Sequence, residues 1–396
     1  MSKRSYGDGS IDQRGENAFR LRYRVGRQRH SVTFHGTLAE AKKKLRELLR
    51  SGDTGEHVDP DRITLASWAE HWLKSGAPGQ RRQEVGARSL ERYGELLRTH
   101  VLPILGQYRL QQLEAVHIDK LYAGLEGKMA PRTARSVHTT LGACLGAALR
   151  SGKLTINPMV RIMKAPRSGE SDHGVALDDV ELQRLLQGFR RSPDYTFVNV
   201  AAFTGARRNE ILALRWTDFD PERKELRIER ALEKTKAHGL RFKGPKRESH
   251  KRTIVIDDQL CALLLALKER HQRIIAGVPD DTKVDLGLVR LPDGALMFPH
   301  PLRMAEGILT EPRSQRGASA GFERRAKRLG FELRFHDLRG THGTLLLDHG
   351  IPPHVVAARL GQDPATLLRS YAKRTHKADI SAASVIGTIA KAILKD

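Results

Sequence analysis

Three side chains in the segment from residue 335 to residue 376 could act together on a phosphate. His336 and Arg339 stand three residues apart where an irregular stretch gives way to an apolar run, so a helix that begins there puts both on one face. Such a pair can hold a phosphate. Tyr371 follows the turn Leu360-Gly361-Gln362 at a spacing that lets its phenol return to the same point, which makes it a candidate nucleophile. The segment therefore predicts attack of a tyrosine on a bound phosphate.

This segment resembles the second signature box of the tyrosine recombinases, the phage integrase family. The family pattern is His-x-x-Arg, then Leu-Gly-His or Leu-Gly-Trp, then Tyr nine residues after that His or Trp. The matching residues are His336, Arg339, Leu360, Gly361 and Tyr371. Gln362 stands where the family has His or Trp. A lone His-x-x-Arg would be a weak signal, whereas the full array in register is a strong one.

A second stretch, from Thr204 to Glu210, resembles the first box of the same family, Thr-Gly-x-Arg-x-x-Glu followed by Leu-x-Trp-x-Asp. The second half of that pattern is matched by Leu214, Trp216 and Asp218. Gly205 allows a tight turn, so that Arg207 is expected to point at the phosphate while Glu210 orients it by a charge-assisted hydrogen bond. Arg208 is off the motif position and is expected to face solvent or the DNA backbone.

The basic stretch from Lys234 to Arg252 is predicted to form a hairpin loop. In the family a lysine lies on this hairpin, in a Pro-Lys-polar-Arg-Thr-Ile context. The matching context consists of Pro245, Arg252, Thr253 and Ile254. It selects Lys246, and Lys243 is the alternative because the register of a hairpin can slip.

The resemblance implies a role for each residue in breaking a phosphodiester bond. Arg207 and Arg339 would give forked hydrogen bonds to the non-bridging oxygens, and Gln362 could add an amide N–H. Lys246 would protonate the departing 5′ oxygen, and His336 would take the proton of Tyr371 or help to hold the phosphate. The product is a 3′-phosphotyrosine with a free 5′ hydroxyl, which a hydroxyl of a partner strand reseals.

We expect neither cofactor nor metal in this reaction. The exchange conserves bond energy, and the sequence has no G-x-x-x-x-G-K-[S/T] phosphate loop. The histidines near the site lack Cys or carboxylate partners at zinc spacings: His336, His342, His349 and His354. His342 is predicted to be a helix-surface or packing residue.

The composition predicts a polyanionic partner. A formal net charge of +23 over 396 residues points to nucleic acid, with a basic but non-binding protein as the alternative. Cys144 and Cys261 lie in apolar helical patterns and are predicted to be core residues in a reducing compartment. No apolar run reaches the length of a membrane span, and the N-terminus lacks a signal-peptide core. We expect a cytoplasmic protein, associated with the nucleoid of a bacterial host cell.

The first 55 residues are predicted to form two or three strands and a helix. Phe19, Leu21, Tyr23 and Val25 alternate with arginines, so one face of a strand is apolar and the other basic. The arginines are Arg20, Arg22 and Arg24. Thr37 and Glu40 form a capping box for a helix that ends at Gly52. The segment resembles the arm-type DNA-binding domains of many integrases; the alternative is an ordinary solvated strand face.

The next hundred residues are predicted to be helical and resemble the core-binding domain of the family. The helices are placed from Thr64, over Leu90 to Leu102 with an end at Pro103, over Val116 to Leu125, and from Pro131 through Leu149. Candidate phosphate contacts are Arg88, Arg92, Arg132 and Arg135. For each of them the alternative is a solvated helix face.

These patterns predict a multidomain α+β fold. It comprises a small three-stranded sheet plus a helix as the arm-binding domain (residues 1–55), an all-helical, SAM-like core-binding domain (64–163) and a mainly helical catalytic domain with a small antiparallel sheet (176–396). Residues 56–63 and 164–175 are expected to be linkers. Within the catalytic domain, Leu226 to Leu232 is predicted to be one strand and Thr253 to Ile256 another. An apolar helix near the C-terminus should pack on a neighbouring subunit or on its own domain.

The resemblance implies a site-specific recombinase that integrates and excises a phage or another mobile element. Its partners would be double-stranded DNA with core and arm sites, three further copies in a homotetramer, and possible host DNA-bending and excision factors. A type IB topoisomerase would use similar residues, and a catalytically impaired DNA-binding protein would keep the fold. A nicked DNA substrate that traps covalent protein separates these alternatives.

Overall fold

The computed structural model describes residues 9–25, 28–53, 62–80, 83–169, 174–244 and 251–371. Pro245 and Lys246 therefore lie outside the described residues, as does the predicted C-terminal helix. The chain divides into two compact units, residues 1–171 and 172–396, which are described separately below.

The N-terminal segment is a three-stranded antiparallel sheet covered by one helix. Its elements, in sheet order and then along the chain, are β1 (Ser10–Gly15), β2 (Ala18–Val25), β3 (Gln28–His35) and α1 (Leu38–Asp53). The predicted alternation places Phe19, Leu21 and Tyr23 against α1, where they are buried with Ala41 and Leu45. The capping box is confirmed, since the Thr37 N–H donates to Glu40 Oε2 at 2.8 Å and the Glu40 N–H to Thr37 Oγ1 at 3.3 Å. Helix α1 runs one residue beyond Gly52.

The rest of the first unit is helical. Its α-helices are α2 (Leu65–Lys74), α3 (Ala87–Leu96), α4 (Leu102–Leu105), α5 (Ala115–Leu125) and α6 (Pro131–Arg150). Thr64 caps α2 by accepting from the Ser67 N–H, and Trp68 and Trp72 are buried in the common core. The core also holds Cys144, as predicted.

The predicted helix end at Pro103 is wrong. Helix α3 continues through a π-helical segment, Leu97–Val101, into α4, which contains Pro103 at its second position. Proline cannot donate a backbone hydrogen bond and its ring crowds the preceding turn. A wider π turn just before it moves that turn aside, so the chain stays helical across the proline.

The second unit begins with three helices that lead into two small sheets. The helices are α7 (Asp179–Phe189), α8 (Tyr195–Thr204) and α9 (Arg208–Ile211). One antiparallel sheet has the order β4 (Phe219–Asp220), β5 (Glu225–Ile228), β8 (Arg252–Val255), and a hairpin pairs β6 (Ala231–Thr235) with β7 (Gly239–Lys243). The single strand predicted over Leu226 to Leu232 is wrong, because the chain leaves the first sheet after Ile228. The basic stretch predicted to form a hairpin loop does include part of a hairpin, β6–β7, which begins earlier, at Ala231.

Helices complete the second unit. They are α10 (Asp258–Ala276), α11 (Pro301–Ala305), α12 (Gln315–Arg328), α13 (Asp337–Asp348), α14 (Pro353–Leu360) and α15 (Pro364–Tyr371). Phe335, just before α13, stacks on Phe197 of α8 with ring centroids 4.9 Å apart and meets Phe322 of α12 edge-on. This aromatic contact fixes the start of α13. The small sheets and mainly helical build agree with the predicted fold class. Among the described residues, no helix has the length and apolar character needed to cross a membrane.

Candidate active site

Gly205 forms the turn that brings Arg207 into the site. It ends α8 with φ +61°, a left-handed conformation that glycine adopts without strain. A Cβ at this position would lie 2.5 Å from Leu360 Cδ2 and 2.7 Å from His342 Cδ2. Glycine is therefore required twice, by the backbone conformation and by the close approach of α13 and α14.

Arg207 and Glu210 form the ion pair that the sequence predicts. The Glu210 carboxylate accepts from the Arg207 N–H and from its Nη1, both at 2.8 Å, and Arg207 Nη2 donates to the Gly361 carbonyl at 3.3 Å. The side chain of Arg207 keeps 40% of its surface exposed, whereas that of Glu210 keeps 10%. Glu210 and the Gly361 carbonyl thus orient the guanidinium of Arg207, while part of that side chain stays exposed.

Arg252 also bonds to Glu210, although the sequence did not identify it as a site residue. Its Nη2 lies 2.8 Å from Glu210 Oε2, and its Nε donates to the Arg359 carbonyl at 2.8 Å. Burial alone would raise the pKa of the Glu210 carboxyl, but the bonds and charges of Arg252 and Arg207 outweigh it and lower the pKa to about 2. The available signal was its alternation with Ile254 and Ile256, which places a charge on the buried face of a strand.

Arg339 is buried beneath the same turn. Its Nη1 donates to the Gly205 carbonyl at 2.8 Å, and its Nη2 donates to the Leu360 carbonyl at 2.8 Å. Only 5% of the residue is exposed. Arg207 and Arg339, which are 132 residues apart, therefore hold successive carbonyls of one turn, Leu360 and Gly361 (339 − 207 = 132).

Gln362 contacts Arg339 through its side-chain oxygen. Arg339 Nη2 donates to Gln362 Oε1 at 3.0 Å. Since a guanidinium can only donate, the oxygen of the amide must face Arg339, and the NH₂ group faces the other way. The residue that departs from the family pattern thus bonds directly to the arginine of the same box.

His336 stands at the N-cap of α13, on the rim of a cavity. Partial removal from water, and then the charges of Arg339 and Arg207, lower its pKa below the ordinary histidine value. The cavity has a volume of about 420 Å³ and is lined by Arg207, Arg208, Asn209, Ser319, Glu323, Arg334, Phe335 and His336. Its basic lining suits an anionic group.

Two placements are predicted for Arg208, facing solvent or facing the DNA backbone. The structure does not leave it simply facing solvent. Its Nη1 donates to Ser319 Oγ at 2.6 Å, its Nε donates to Asn209 Oδ1 at 3.2 Å, and it lines the cavity beside His336. Burial lowers its pKa, and Glu323 partly opposes this. The side chain is held in place by α12, which the local sequence could not indicate.

Two of the predicted residues have side chains outside the described part. Lys246 lies in the segment 245–250, between β7 and β8. The alternative, Lys243, ends β7 with its Nζ 3.4 Å from Glu233 Oε1. Tyr371 is the last residue of α15, whose Leu367 is fully buried against α14. The roles of Lys246 and Tyr371 stay predictions.

His342 is a packing residue, one of its two predicted placements. It is buried, its Nδ1 bonds to the Ala202 carbonyl at 2.8 Å, and its Nε2 accepts from Arg359 Nε at 3.2 Å. Nε2 can accept only if the ring is neutral, and burial together with the charge of Arg359 lowers its pKa to about 4. Arg359 also donates to the Phe203 carbonyl, so the pair ties α14 to α8. Across the described ranges, no three His, Cys, Asp or Glu side chains cluster as metal ligands would.

The predicted DNA-binding arginines lie on exposed surfaces. On β2, Arg20, Arg22 and Arg24 point away from α1, and Arg22 pairs with Asp12 at 2.9 Å. In the helical segment Arg88 and Arg92 pair with glutamates one turn later on α3, at 3.6 and 3.0 Å. The remaining two are on α6: Arg132 and Arg135. Arg135 donates to the Pro166 carbonyl at 3.3 Å.

Comparison with known proteins places these motifs in one family. Residues 176–377 match the phage integrase family, and residues 64–125 match the phage integrase N-terminal SAM-like domain. An integrase of Saccharopolyspora erythraea is 25% identical over 369 residues, which cover 78% of each chain. A XerC-like tyrosine recombinase of Caldanaerobacter subterraneus is 23% identical over 367 residues, covering 88% of this chain and 90% of the relative.

Solved structures share the fold. The Tn1549 transposon integrase bound to transposon right-end DNA superposes with a TM-score of 0.63 at 16% identity, over 82% of this chain and all of that one. A lambda integrase tetramer bound to a Holliday junction gives a TM-score of 0.53 at 18% identity, over 89% and 95% of the two chains. With the family match spanning more than half of its residues, the chain belongs to the phage integrase family and has the tyrosine recombinase fold.

Proposed function

We propose that this chain cleaves and rejoins double-stranded DNA at specific sites through a 3′-phosphotyrosine bond to Tyr371. The observation that carries the proposal is the convergence of Arg207 and Arg339 on successive carbonyls of the turn Leu360–Gln362. Helix α15 begins two residues after that turn and ends at Tyr371. The helix that carries the proposed nucleophile therefore begins next to the backbone carbonyls that both arginines bond to.

The arrangement of charge suits the transition state of phosphoryl transfer. Arg207 is partly open to the cavity, and Arg339 lies behind the same turn, so both can meet negative charge that develops on the non-bridging oxygens. Each guanidinium is held by protein oxygens before the substrate arrives. Such preorganised donors lower the barrier because they need not reorient during the reaction.

Proton transfer is assigned to His336 and Lys246. Because its pKa is lowered, His336 is neutral near pH 7 and can accept the proton of the attacking phenol. Lys246, on the segment between β7 and β8, is proposed to protonate the departing 5′ oxygen. Gln362 cannot gain charge, so it can stabilise the transition state with its NH₂ group but cannot shuttle a proton.

The proposed assembly is supported by structures of DNA-bound relatives. The Tn1549 and lambda integrases are bound to DNA in their structures, and lambda integrase is a tetramer on a Holliday junction. We infer that this chain also acts as a DNA-bound tetramer in a bacterial host, with residues 64–163 on the core site and residues 1–55 on arm sites. Host bending and excision factors are part of the proposal. The product is an integrated or excised phage or other mobile element.

A suicide substrate tests the central step. A core-site duplex, nicked so that the strand downstream of cleavage is lost, should trap the chain as a covalent adduct that survives denaturation. Peptide mapping should place the phosphate on Tyr371, and Tyr371→Phe should abolish the adduct without changing DNA affinity, because it removes one hydroxyl and no charge. An adduct that maps to another tyrosine, such as Tyr195, would refute the assignment.

Deletion of residues 1–60 tests the arm-binding role. The shortened chain should cleave a short core site as before but lose high-affinity binding to outlying arm sites, since the exposed arginines of β2 are removed with it. The affinity lost should shrink as salt rises, because phosphate contacts release counterions. Arm-site binding that equals that of the full chain would contradict the role.

A further inference from the structure

Arg252 has no assigned role in the reaction, yet it makes the most buried ion pair that the site contains within the described residues. Its side chain is 7% exposed and that of Glu210 is 10% exposed. It is the first residue of β8 and follows the segment that carries Lys246. Its guanidinium bonds to Glu210 and to the Arg359 carbonyl, so an effect on the reaction can pass through these two neighbours.

We propose that Arg252 is a positioning residue that keeps the charge of Arg207 available to the scissile phosphate. The inference rests on the proposed function and concerns the same site. Glu210 is bonded to both arginines: Oε1 accepts from Arg207 at 2.8 Å and Oε2 accepts from Arg252 at 2.8 Å. Arg252 thus neutralises the carboxylate that orients Arg207.

The net charge of the triad explains why the third member matters. Two guanidinium groups and one carboxylate leave one positive charge, and it lies on the member with the open surface, Arg207, which is 40% exposed. Without Arg252, Arg207 and Glu210 form a neutral pair. The carboxylate, whose side chain is only 10% exposed, would then compete with the phosphate for Arg207 without a second cation to neutralise it.

Arg252 also supports the turn that the two phosphate-binding arginines hold. Its Nε donates to the Arg359 carbonyl, and its guanidinium packs on Gly361, where a Cβ would lie 2.8 Å from Arg252 Nη1. Gly361 has φ +62°, so the turn is closed by a left-handed glycine against this guanidinium. The side chain of Arg252 therefore contacts two groups that bond to Arg207, the carboxylate of Glu210 and the residue Gly361.

The test compares cleavage of two suicide duplexes, one with the natural scissile phosphate and one with a neutral methylphosphonate at that position. On the phosphate substrate at saturating DNA, Arg252→Met should slow adduct formation by about 10²-fold, the cost of misplacing a catalytic group, with DNA affinity unchanged. On the methylphosphonate the defect should shrink, because that substrate needs less positive charge. Arg252→Lys, which keeps the charge, should recover part of the rate.

Arg313→Met is the matched control. Arg313 also forms a part-buried ion pair in the second unit, with its Nη1 2.8 Å from Asp194 Oδ1, and it has no part in the triad. Any loss it causes should be equal on the two substrates, as expected for a residue that only stabilises the fold. The double variant Glu210→Gln with Arg252→Met removes the competing carboxylate, so it should cleave faster than Arg252→Met alone. This comparison keeps the inference testable if Arg252→Met folds poorly, because both variants lack Arg252.

Three results would overturn the inference: parental cleavage by Arg252→Met, an equal defect on both substrates, or a double variant no faster than Arg252→Met. Each leaves the proposed function standing, provided that the parental chain forms its adduct at Tyr371. Absence of that adduct in the parental chain would overturn the proposed function and this inference with it.

Discussion

Replacing Glu210 with glutamine should destabilise the second unit strongly, and by an amount that depends on pH. The variant keeps the shape of the side chain but removes the charge that faces Arg207 and Arg252. Arg252 would then be a buried cation without its carboxylate. Breaking a buried ion pair by removing one partner typically costs about 3–5 kcal/mol.

The pKa of Glu210 gives a second route to the magnitude. Folding lowers it from 4.5 to about 2, which corresponds to about 3 kcal/mol of stability in the ionised form. Because the pKa is lowered on folding, this contribution is complete well above pH 4.5 and is lost as the pH falls toward 2. At pH 3 only about 1 kcal/mol of it should remain. Glutamine imitates the protonated acid, so the difference between parent and variant should narrow in the same way.

Hydrogen exchange across a urea series measures this difference locally, at the backbone amides of β8 in the full-length chain. Glu306→Gln is the control, since its pair with Arg303 is half exposed and an exposed ion pair contributes little. The control should match the parent at pH 7 and at pH 3. A Glu210 variant as stable as the parent at pH 7, or a difference that does not narrow by pH 3, would refute the reasoning.

Three further variants test other contacts of the site. Gln362→Ala should slow adduct formation by about 10²-fold, the usual cost of one transition-state donor, whereas Gln362→His should stay active; a parental rate for the alanine variant would remove Gln362 from the catalytic set. Gly205→Ala should lower the unfolding midpoint in urea far more than Gly277→Ala, because both glycines have positive φ but only Gly205 would clash. Arg208→Met should weaken binding of the core site more at low salt than at high salt, and a loss of affinity that is the same at every salt concentration would contradict the predicted contact of Arg208 with the DNA backbone.

Much of the fold could be predicted because its signals are local. The alternation of Phe19, Leu21 and Tyr23 and the Thr37–Glu40 capping box are both set by residues within one element. The same holds for Arg207 and Glu210, which are one helical turn apart. Local spacing decides which face a side chain occupies, so these patterns carry over into the structure.

The contacts that complete the site could not be predicted in this way. Arg252 meets Glu210 across 42 residues, and Arg359 meets the Phe203 carbonyl across 156. No periodicity links such positions: the alternation around Arg252 can indicate that it faces inward, but not which residue it meets. The π-helical turn before Pro103 was missed for another reason: proline usually ends a helix, and only the packed core around α3 and α4 shows that the helix continues.

The end of α14 explains why three distant arginines meet in one place. The last carbonyls of a helix have no partner within it and form the negative end of its dipole. At this end the carbonyls of residues 359, 360 and 361 accept in turn from Arg252, Arg339 and Arg207. Because α15 begins at Pro364, the same few residues of backbone set both the positions of the arginines and the starting point of the helix that carries Tyr371. A change that unwinds the last turn of α14 should therefore disturb the proposed phosphate-binding arginines and the proposed nucleophile together.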